Sequence, residues 1–186
     1  DSRNEYIYKF VSAANWEAAD ANSSNALAMG DKYLDSGKLY VAQFNADGGG
    51  KWVELSMSNP LIAAYTGYKF ADQADICVNS RLAGDAVGAT KMDRPEWCSV
   101  NPANGEIYYA LTNNSNRNIN ATGSSQLVPD AANPRAYTDM KGTTAQTGNP
   151  NGHILRMKEG AEGSAALTFT WDVYLFAAEA SADAGK

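Results

Sequence analysis

Glu96-Trp97-Cys98-Ser99-Val100, Asn101-Pro102-Ala103-Asn104-Gly105 and Glu106 to Thr112 (EIYYALT) form the stretch that decides the fold. Two runs rich in aromatic and β-branched residues flank a dense cluster of turn formers, which predicts two antiparallel strands and a tight connection. The same texture recurs downstream. His153 to Lys158 (HILRMK) and Ala166 to Phe176 (ALTFTWDVYLF) read as strands separated by Gly160-Ala161-Glu162-Gly163. Upstream, strands are expected at Tyr6 to Val11, Lys38 to Asn45 and Trp52 to Leu55. Asp47-Gly48-Gly49-Gly50 turns between the last two, because glycine takes positive φ without strain.

Seven strands in two meanders predict an all-β fold of about two four-stranded antiparallel blades of a β-propeller. The strands at 96–100, 106–112, 153–158 and 166–176 complete one blade. Those at 6–11, 38–45 and 52–55 supply three strands of another, whose fourth would lie just before Asp1. Propellers close with at least about 4 blades, so the chain is expected to be a partial propeller. The divisions are blade one at 1–59, a helical insertion at 60–88, blade two at 89–178 and a frayed or truncated tail at 179–186. A small β-sandwich is the other architecture open to these strands.

One inserted helix is expected at about 72–82. Ala74, Cys77, Val78, Leu82 and Ala86 recur at three- and four-residue steps, and Asp72 stands where an N-cap belongs. Arg81 and Asp85 read as a solvated pair near its end. Residues 13–37 are polar and Ala-rich, with Asn22-Ser23-Ser24-Asn25 as a loop signal. Residues 113–151 form a long loop, loaded with Asn, Gly, Thr, Ala and Pro, far beyond the common length of about 4–6 residues.

The chain has 186 residues, enough for one domain and a substantial core. It begins at Asp1 without an initiator Met or a signal peptide, as a processed chain or an excised piece would. No apolar run approaches the length of a bilayer span, so no membrane partner is expected. Lys and Arg number 15 against 21 Asp and Glu, a net charge of −6. That balance argues against a phosphate-backbone groove, and nucleic acid is not an expected partner. Cys77 and Cys98 lie outside any CxxC, which leaves two readings: one disulfide, or two buried free thiols.

His153 is the only histidine. Centres that need two or three imidazoles are therefore excluded. A metal held here would take mainly carboxylate and carbonyl oxygens, which favours calcium, magnesium, manganese or ferric iron. The densest cluster of reactive side chains is Ala89-Thr90-Lys91-Met92-Asp93-Arg94-Pro95-Glu96-Trp97. Pro95 fixes its own φ and biases Arg94 toward an extended conformation, which aims Arg94 and Glu96 at low entropic cost. On the innermost strand of a blade, Glu96 could meet carboxylates from other blades around a cation. The plainer reading pairs Asp93 with Arg94 at the surface and leaves Glu96 solvated.

Several segments in register resemble one family: NEYIYKF (4–10), NSRLAGDAVGA (79–89), GATKMDRPEW (88–97), NPANGEIYYALTNN (101–114), ANPRA (132–136) and GHILRM (152–157). The chain resembles the PhoX-type alkaline phosphatases over essentially its whole length. That resemblance implies a β-propeller exported to the periplasm or secreted. It also implies hydrolysis of phosphate monoesters by metal-assisted phosphoryl transfer, and a centre of calcium and ferric iron. Glu96, in the DRPE segment, takes the place of a family metal ligand. The family's cysteine ligand, its other acidic ligands and an arginine belong to segments not present here. Cys98 is not the counterpart of that cysteine. The rest of the propeller is therefore an expected partner, and the segment alone is expected to be inactive.

Other candidates each carry two readings. Arg94 and Arg135 could reach a substrate phosphate through a planar guanidinium fork; Arg135 could instead pin its loop. Asn113 and Asn114 could face substrate or cap a turn. Asp93 and His153 could serve the site, or His153 could be a structural hydrogen-bonder. Tyr108, Tyr109, Trp171 and Tyr174 are expected in blade packing. Against the enzyme stands a non-catalytic propeller or sandwich module that binds a partner or a polysaccharide; an intact Asp93-Arg94-Pro95-Glu96 favours the enzyme.

Overall fold

The computed structural model describes residues 3–179. Apart from Glu179, the expected tail lies outside the described residues. The strands are β1 (Tyr8–Ser12), β2 (Gly37–Phe44), β3 (Gly49–Glu54), β4 (Pro95–Val100), β5 (Ile107–Leu111), β6 (Tyr137–Lys141), β7 (Thr144–Gly148), β8 (His153–Glu159) and β9 (Thr168–Phe176). The helices are α1 (Ala26–Leu34), α2 (Pro60–Ala63), α3 (Gln73–Val78) and α4 (Ser80–Ala86). Seven strands form a sheet in the order β1-β2-β3-β9-β8-β5-β4, and β6 and β7 pair separately. The fold is mostly β with few helices, the partial propeller-like architecture expected from the strand pattern.

The chain divides into two compact units. The first contains the residues up to Ile7, Gln43–Lys51 and everything from Thr90. Its β4, β5, β8 and β9 are the four strands of the expected complete blade, all antiparallel neighbours. Gly49, Gly50 and Lys51 of β3 then pair with Thr170, Phe169 and Thr168 of β9, so the ladder continues past the fourth strand. Gly50 makes that approach feasible, since a Cβ there would run into the Phe169 ring. Along β8 the burial alternates: His153, Leu155 and Met157 are buried and Ile154 and Arg156 are half-buried. Leu155 and Met157 are wholly buried, worth about 1.5–3 kcal/mol each on transfer from water. Phe44 joins this core with its ring edge-on to Phe169 at 5.1 Å and to Trp171 at 5.3 Å. Tyr108 and Tyr174 stack edge-to-face at 5.0 Å, in keeping with a packing role.

The second unit contains Tyr8–Ala42 and Trp52–Ala89. Its β1 and β2 pair antiparallel, with Tyr8 opposite Val41. Asp72 caps α3 as expected, its side chain accepting from Asp75 N at 2.8 Å. The single helix expected over 72–82 is, however, two. Asn79, at φ −105° and ψ 38°, ends α3 and begins α4. Its side-chain amide also donates to Asp75 Oδ1 at 2.7 Å, one turn back along α3. The buried stripe also differs: Ile76, Ala83 and Val87 face inward, whereas Val78 is 82% exposed and Ala74 and Cys77 lie outside. The inward positions keep helical spacing, but on another face. The polar 13–37 stretch supplies α1, capped by Asn25, whose side chain accepts from Ala28 N at 3.1 Å. Cys77 and Cys98 are both free and both exposed, which corrects the expectation of buried thiols and settles against their pairing.

The long 113–151 connection carries the β6–β7 hairpin, which its sequence texture did not foretell. Elsewhere in that connection asparagine and aspartate side chains hold the backbone. Asn114 accepts from Asn116 N, Asn118 from Asn120 N, and Asp130 from Ala132 N and Asn133 N.

Candidate functional site

Asp93 is wholly buried, and donors converge on it from three places in the 113–151 connection. Oδ1 accepts from Asn114 Nδ2 at 2.8 Å and from Arg117 Nε at 3.0 Å. Oδ2 accepts from Asn149 Nδ2 at 3.0 Å. The backbone amide of Asp93 donates to Asn133 Oδ1 at 2.9 Å. Asn114, Asn133 and Asn149 are themselves fully buried, and Arg117 is 1% exposed. Arg117 spends its remaining donors on Val128 O at 2.8 Å, Asp130 Oδ2 at 3.1 Å and Lys91 O at 2.9 Å. Asn4 joins through its Oδ1, which accepts from Asn114 Nδ2 at 3.0 Å. A buried charge pair is tolerated only when its remaining polar atoms are matched in this way.

The backbone ladder sets this convergence. Asn114 and Asn149 form an isolated antiparallel bridge, each amide donating to the other's carbonyl, at 2.8 and 3.0 Å. Gly148 and Gly152 flank Asn149 at φ 93° and 74°. A Cβ on either would collide with a carbonyl, that of Asn114 or Leu111. Only glycine therefore lets the 148–152 turn lie this close to the 111–115 backbone.

His153 is 1% exposed. Its Nε2 lies 2.8 Å from Ala132 O and its Nδ1 3.0 Å from Asn149 Nδ2. Burial, first of all, holds its pKa below the ordinary imidazole value of 6.5, with the Ala132 carbonyl and Asp93 pulling the other way. Asp93, Asn114 and His153, all singled out in the sequence, thus meet in one buried network. Among the sequence's readings of His153, the structural hydrogen-bonder describes its surroundings.

Arg94 and Glu96 leave that network for the exposed edge. Thr112 N donates to both Asp93 O and Arg94 O, at 3.1 and 3.2 Å. Arg94 adopts φ 46°, in the left-handed region, and not the extended conformation expected ahead of proline. The γ-turn-like bond from Arg94 N to Met92 O at 3.0 Å and the Thr112 bonds together override that local bias. Arg94 Nη1 lies 3.3 Å from Asn113 Oδ1. Pro95 pairs with Leu111 and Trp97 with Ala110, so Glu96 is the extra residue of a β-bulge on edge strand β4. Bulges re-aim a side chain. Glu96 is exposed, and its Oε1 lies 3.5 Å from Thr112 Oγ1.

Arg135 stands apart from both groups. Its Nη1 donates to Ala177 O at 3.0 Å, and its guanidinium lies 4.6 Å from the Tyr137 ring centre and 4.9 Å from that of Phe176. It straps its loop to the end of β9. Sequence reading did not single out Arg117, Asn133, Asn149 or Asn4. One signal was available: Arg117 is the sole charged residue between Leu111 and Asp130, and a lone cation in an Asn-rich stretch is a candidate partner for a buried acid.

The family model "Alkaline phosphatase PhoX" matches residues 1–185. The chain belongs to the PhoX family. The solved structure of Pseudomonas fluorescens PhoX in complex with vanadate, a transition state analogue, is similar at 36% sequence identity with a TM-score of 0.76. The match covers 100% of this chain and 29% of the Pseudomonas chain, so the present chain spans under a third of that PhoX protein's length. No curated protein matches the chain. Among the described residues, no group of three or more His, Cys, Asp or Glu side chains is placed to hold a metal. No helix among them is long and apolar enough to cross a membrane.

Proposed function

We propose that these 186 residues are a segment of an exported PhoX alkaline phosphatase, periplasmic or secreted, that hydrolyses phosphate monoesters. Within it they serve as one segment of a longer propeller: blade one at 1–59, a helical insertion at 60–88 and blade two at 89–178. The observation that carries the reading is the family match across residues 1–185, with the DRPE carboxylate raised on a bulge at an exposed sheet edge. The vanadate bound by the Pseudomonas relative supports phosphoryl transfer as the chemistry.

The donor set fits one position in a hard-cation centre and no more. Glu96 offers an exposed carboxylate whose Oε1 lies 3.5 Å from Thr112 Oγ1, and among the described residues it belongs to no group of three or more His, Cys, Asp or Glu side chains that could hold a metal. We assign Glu96 as a ligand to a calcium and ferric iron centre completed by residues from elsewhere in the protein. Such a centre would supply positive charge to the phosphoryl oxygens. Arg94, set by Asn113, brings a planar cation beside the same edge and is suited to orient a phosphate dianion. Arg135 is a second, more distant candidate for the phosphate. Asp93, Asn114 and His153 contribute by holding the turn from beneath.

The test uses the full-length gene product. Glu96→Gln keeps the side chain's size and removes its charge. The expected result is loss of metal content and a fall in aryl-phosphate turnover of about 10²–10³-fold, the scale of a single transition-state electrostatic contact. Wild-type metal content and turnover in that variant would refute the assignment. The isolated 186-residue chain, supplied with both metals, is expected to be inactive.

A further inference from the structure

Asp93 and Glu96 are three positions apart and occupy opposite environments, one wholly buried and one exposed. Between them lie the two residues least free to move. Arg94 sits at φ 46°, where a non-glycine residue costs about 1–3 kcal/mol unless its surroundings over-determine it. Pro95 adds a fixed φ of its own. The surroundings do over-determine this turn. Both carboxylate oxygens, the amide and the carbonyl of Asp93 are each bonded, and every partner comes from residues 112–149.

A core staple would not need this chemistry. Apolar side chains of similar volume stabilise a core as well as a buried ion pair or better. What a carboxylate with three converging donors adds is a single orientation, because each donor approaches from a fixed direction. Arg117 extends the grip, since it holds the carbonyl of Lys91 two residues before Asp93 as well as the 128–130 segment. The chain around Asp93 is thus clamped on both sides, and the strain emerges at Arg94 and in the Glu96 bulge.

We infer that Asp93 is a positioning residue for phosphate-ester hydrolysis: gripped by Arg117, Asn114 and Asn149, it aims Arg94 and Glu96. The inference rests on the phosphatase reading above. It makes the 113–151 connection a brace for the edge that carries Arg94 and Glu96, acting on that edge through Asp93.

The experiment measures kcat, KM and thermal stability of the full-length enzyme with Asp93→Asn, with Arg117→Lys and with the exchange Asp93→Asn plus Asn149→Asp. In the first variant one donor to the carboxylate meets an amide hydrogen. We expect kcat to fall about 10–100-fold, as when an outer partner of a metal ligand is lost, with KM raised as Arg94 loses its aim. The exchange returns complementarity between positions 93 and 149 with the charge moved to the partner, and should recover most of the lost kcat. Arg117→Lys keeps the charge without the fork and should show a smaller loss of the same kind. A purely structural role predicts a lower melting temperature with unchanged kcat per folded molecule in all three, and that result overturns the inference. Should Asp93→Asn not fold, Arg117→Lys and the exchange decide between the same two outcomes. A wild-type enzyme without phosphatase activity would instead refute the function proposed above.

Discussion

His153 Nδ1 lies 3.0 Å from Asn149 Nδ2, and that contact fixes where the imidazole carries its proton. Asn149 Oδ1 accepts from Gly152 N at 3.2 Å while its Nδ2 serves Asp93 Oδ2, so the amide has one consistent orientation. Nδ1 of His153 must then be the acceptor. The proton belongs on Nε2, where it meets Ala132 O. The ring is neutral, and a second proton would face a donor.

Acid pH should therefore destabilise this unit through His153. Its folded pKa is depressed below 6.5, chiefly by burial, so the unfolded chain takes up a proton that the folded chain refuses. The stability it contributes is full above about 6.5 and is lost as pH falls from there toward the folded value, at no more than about 1.4 kcal/mol per pH unit. Asp93, Arg117 and Asp130 are the charged groups that act on the ring. The imidazole proton resonances that disappear in His153→Gln identify this titration in the full-length protein. A measured folded-state value at or above 6.5 would contradict the tautomer and burial argument. His153→Gln should flatten the dependence of the denaturation midpoint on pH between 8 and 5.

Glycine 152 offers a test of how closely the turn must approach. Gly152→Ala meets two costs, the positive φ and a collision with the Leu111 carbonyl beside Thr112. Gly105→Ala meets only the first, since Gly105 has φ 72° and open space around it. We expect about 1 kcal/mol of destabilisation at Gly105 and clearly more, about 2 kcal/mol or above, at Gly152. Thr112 donates to Asp93 O and Arg94 O, so activity of the full-length enzyme should fall with Gly152→Ala and not with Gly105→Ala. Equal denaturant midpoints for the two variants would show that the close approach is not needed.

The residues that sequence reading placed well are those whose neighbours along the chain decide their structure. The aromatic and β-branched run at 107–111 is a strand because its own pattern suits a half-buried sheet, the run at 96–100 is an exposed strand joined to it by a turn cluster legible in sequence, and Asp72 caps α3 because a cap needs only the next turn. Asn79 already shows the limit, since its backbone leaves the helical region and divides a helix whose periodicity runs through it. The candidate site exceeds that limit. Asn114, Asn133 and Asn149 look like turn formers, and their burial around Asp93 depends on partners 21, 40 and 56 residues away. The DRPE segment marked the place, but the left-handed Arg94 comes from Thr112, which no rule about the residue before proline contains.

Arg94 itself provides the sharpest separation of stability from function. Glycine adopts φ 46° without the Cβ penalty, so Arg94→Gly relieves strain of about 1 kcal/mol while removing the guanidinium that rests on Asn113 Oδ1. The greater freedom of glycine in the unfolded chain offsets part of that relief. The expected outcome is a melting temperature equal to the wild type or slightly higher, together with a weakened grip on phosphate. The weaker grip would appear as a rise in KM for an aryl phosphate and in the inhibition constant of inorganic phosphate. Arg94→Lys separates the two effects, because it keeps both a charge and the strained φ. It should retain more phosphate affinity than the glycine variant without exceeding wild-type stability. A glycine variant that loses stability and keeps its phosphate affinity would mean that the turn depends on the arginine side chain for packing, and that the cation lies outside the site.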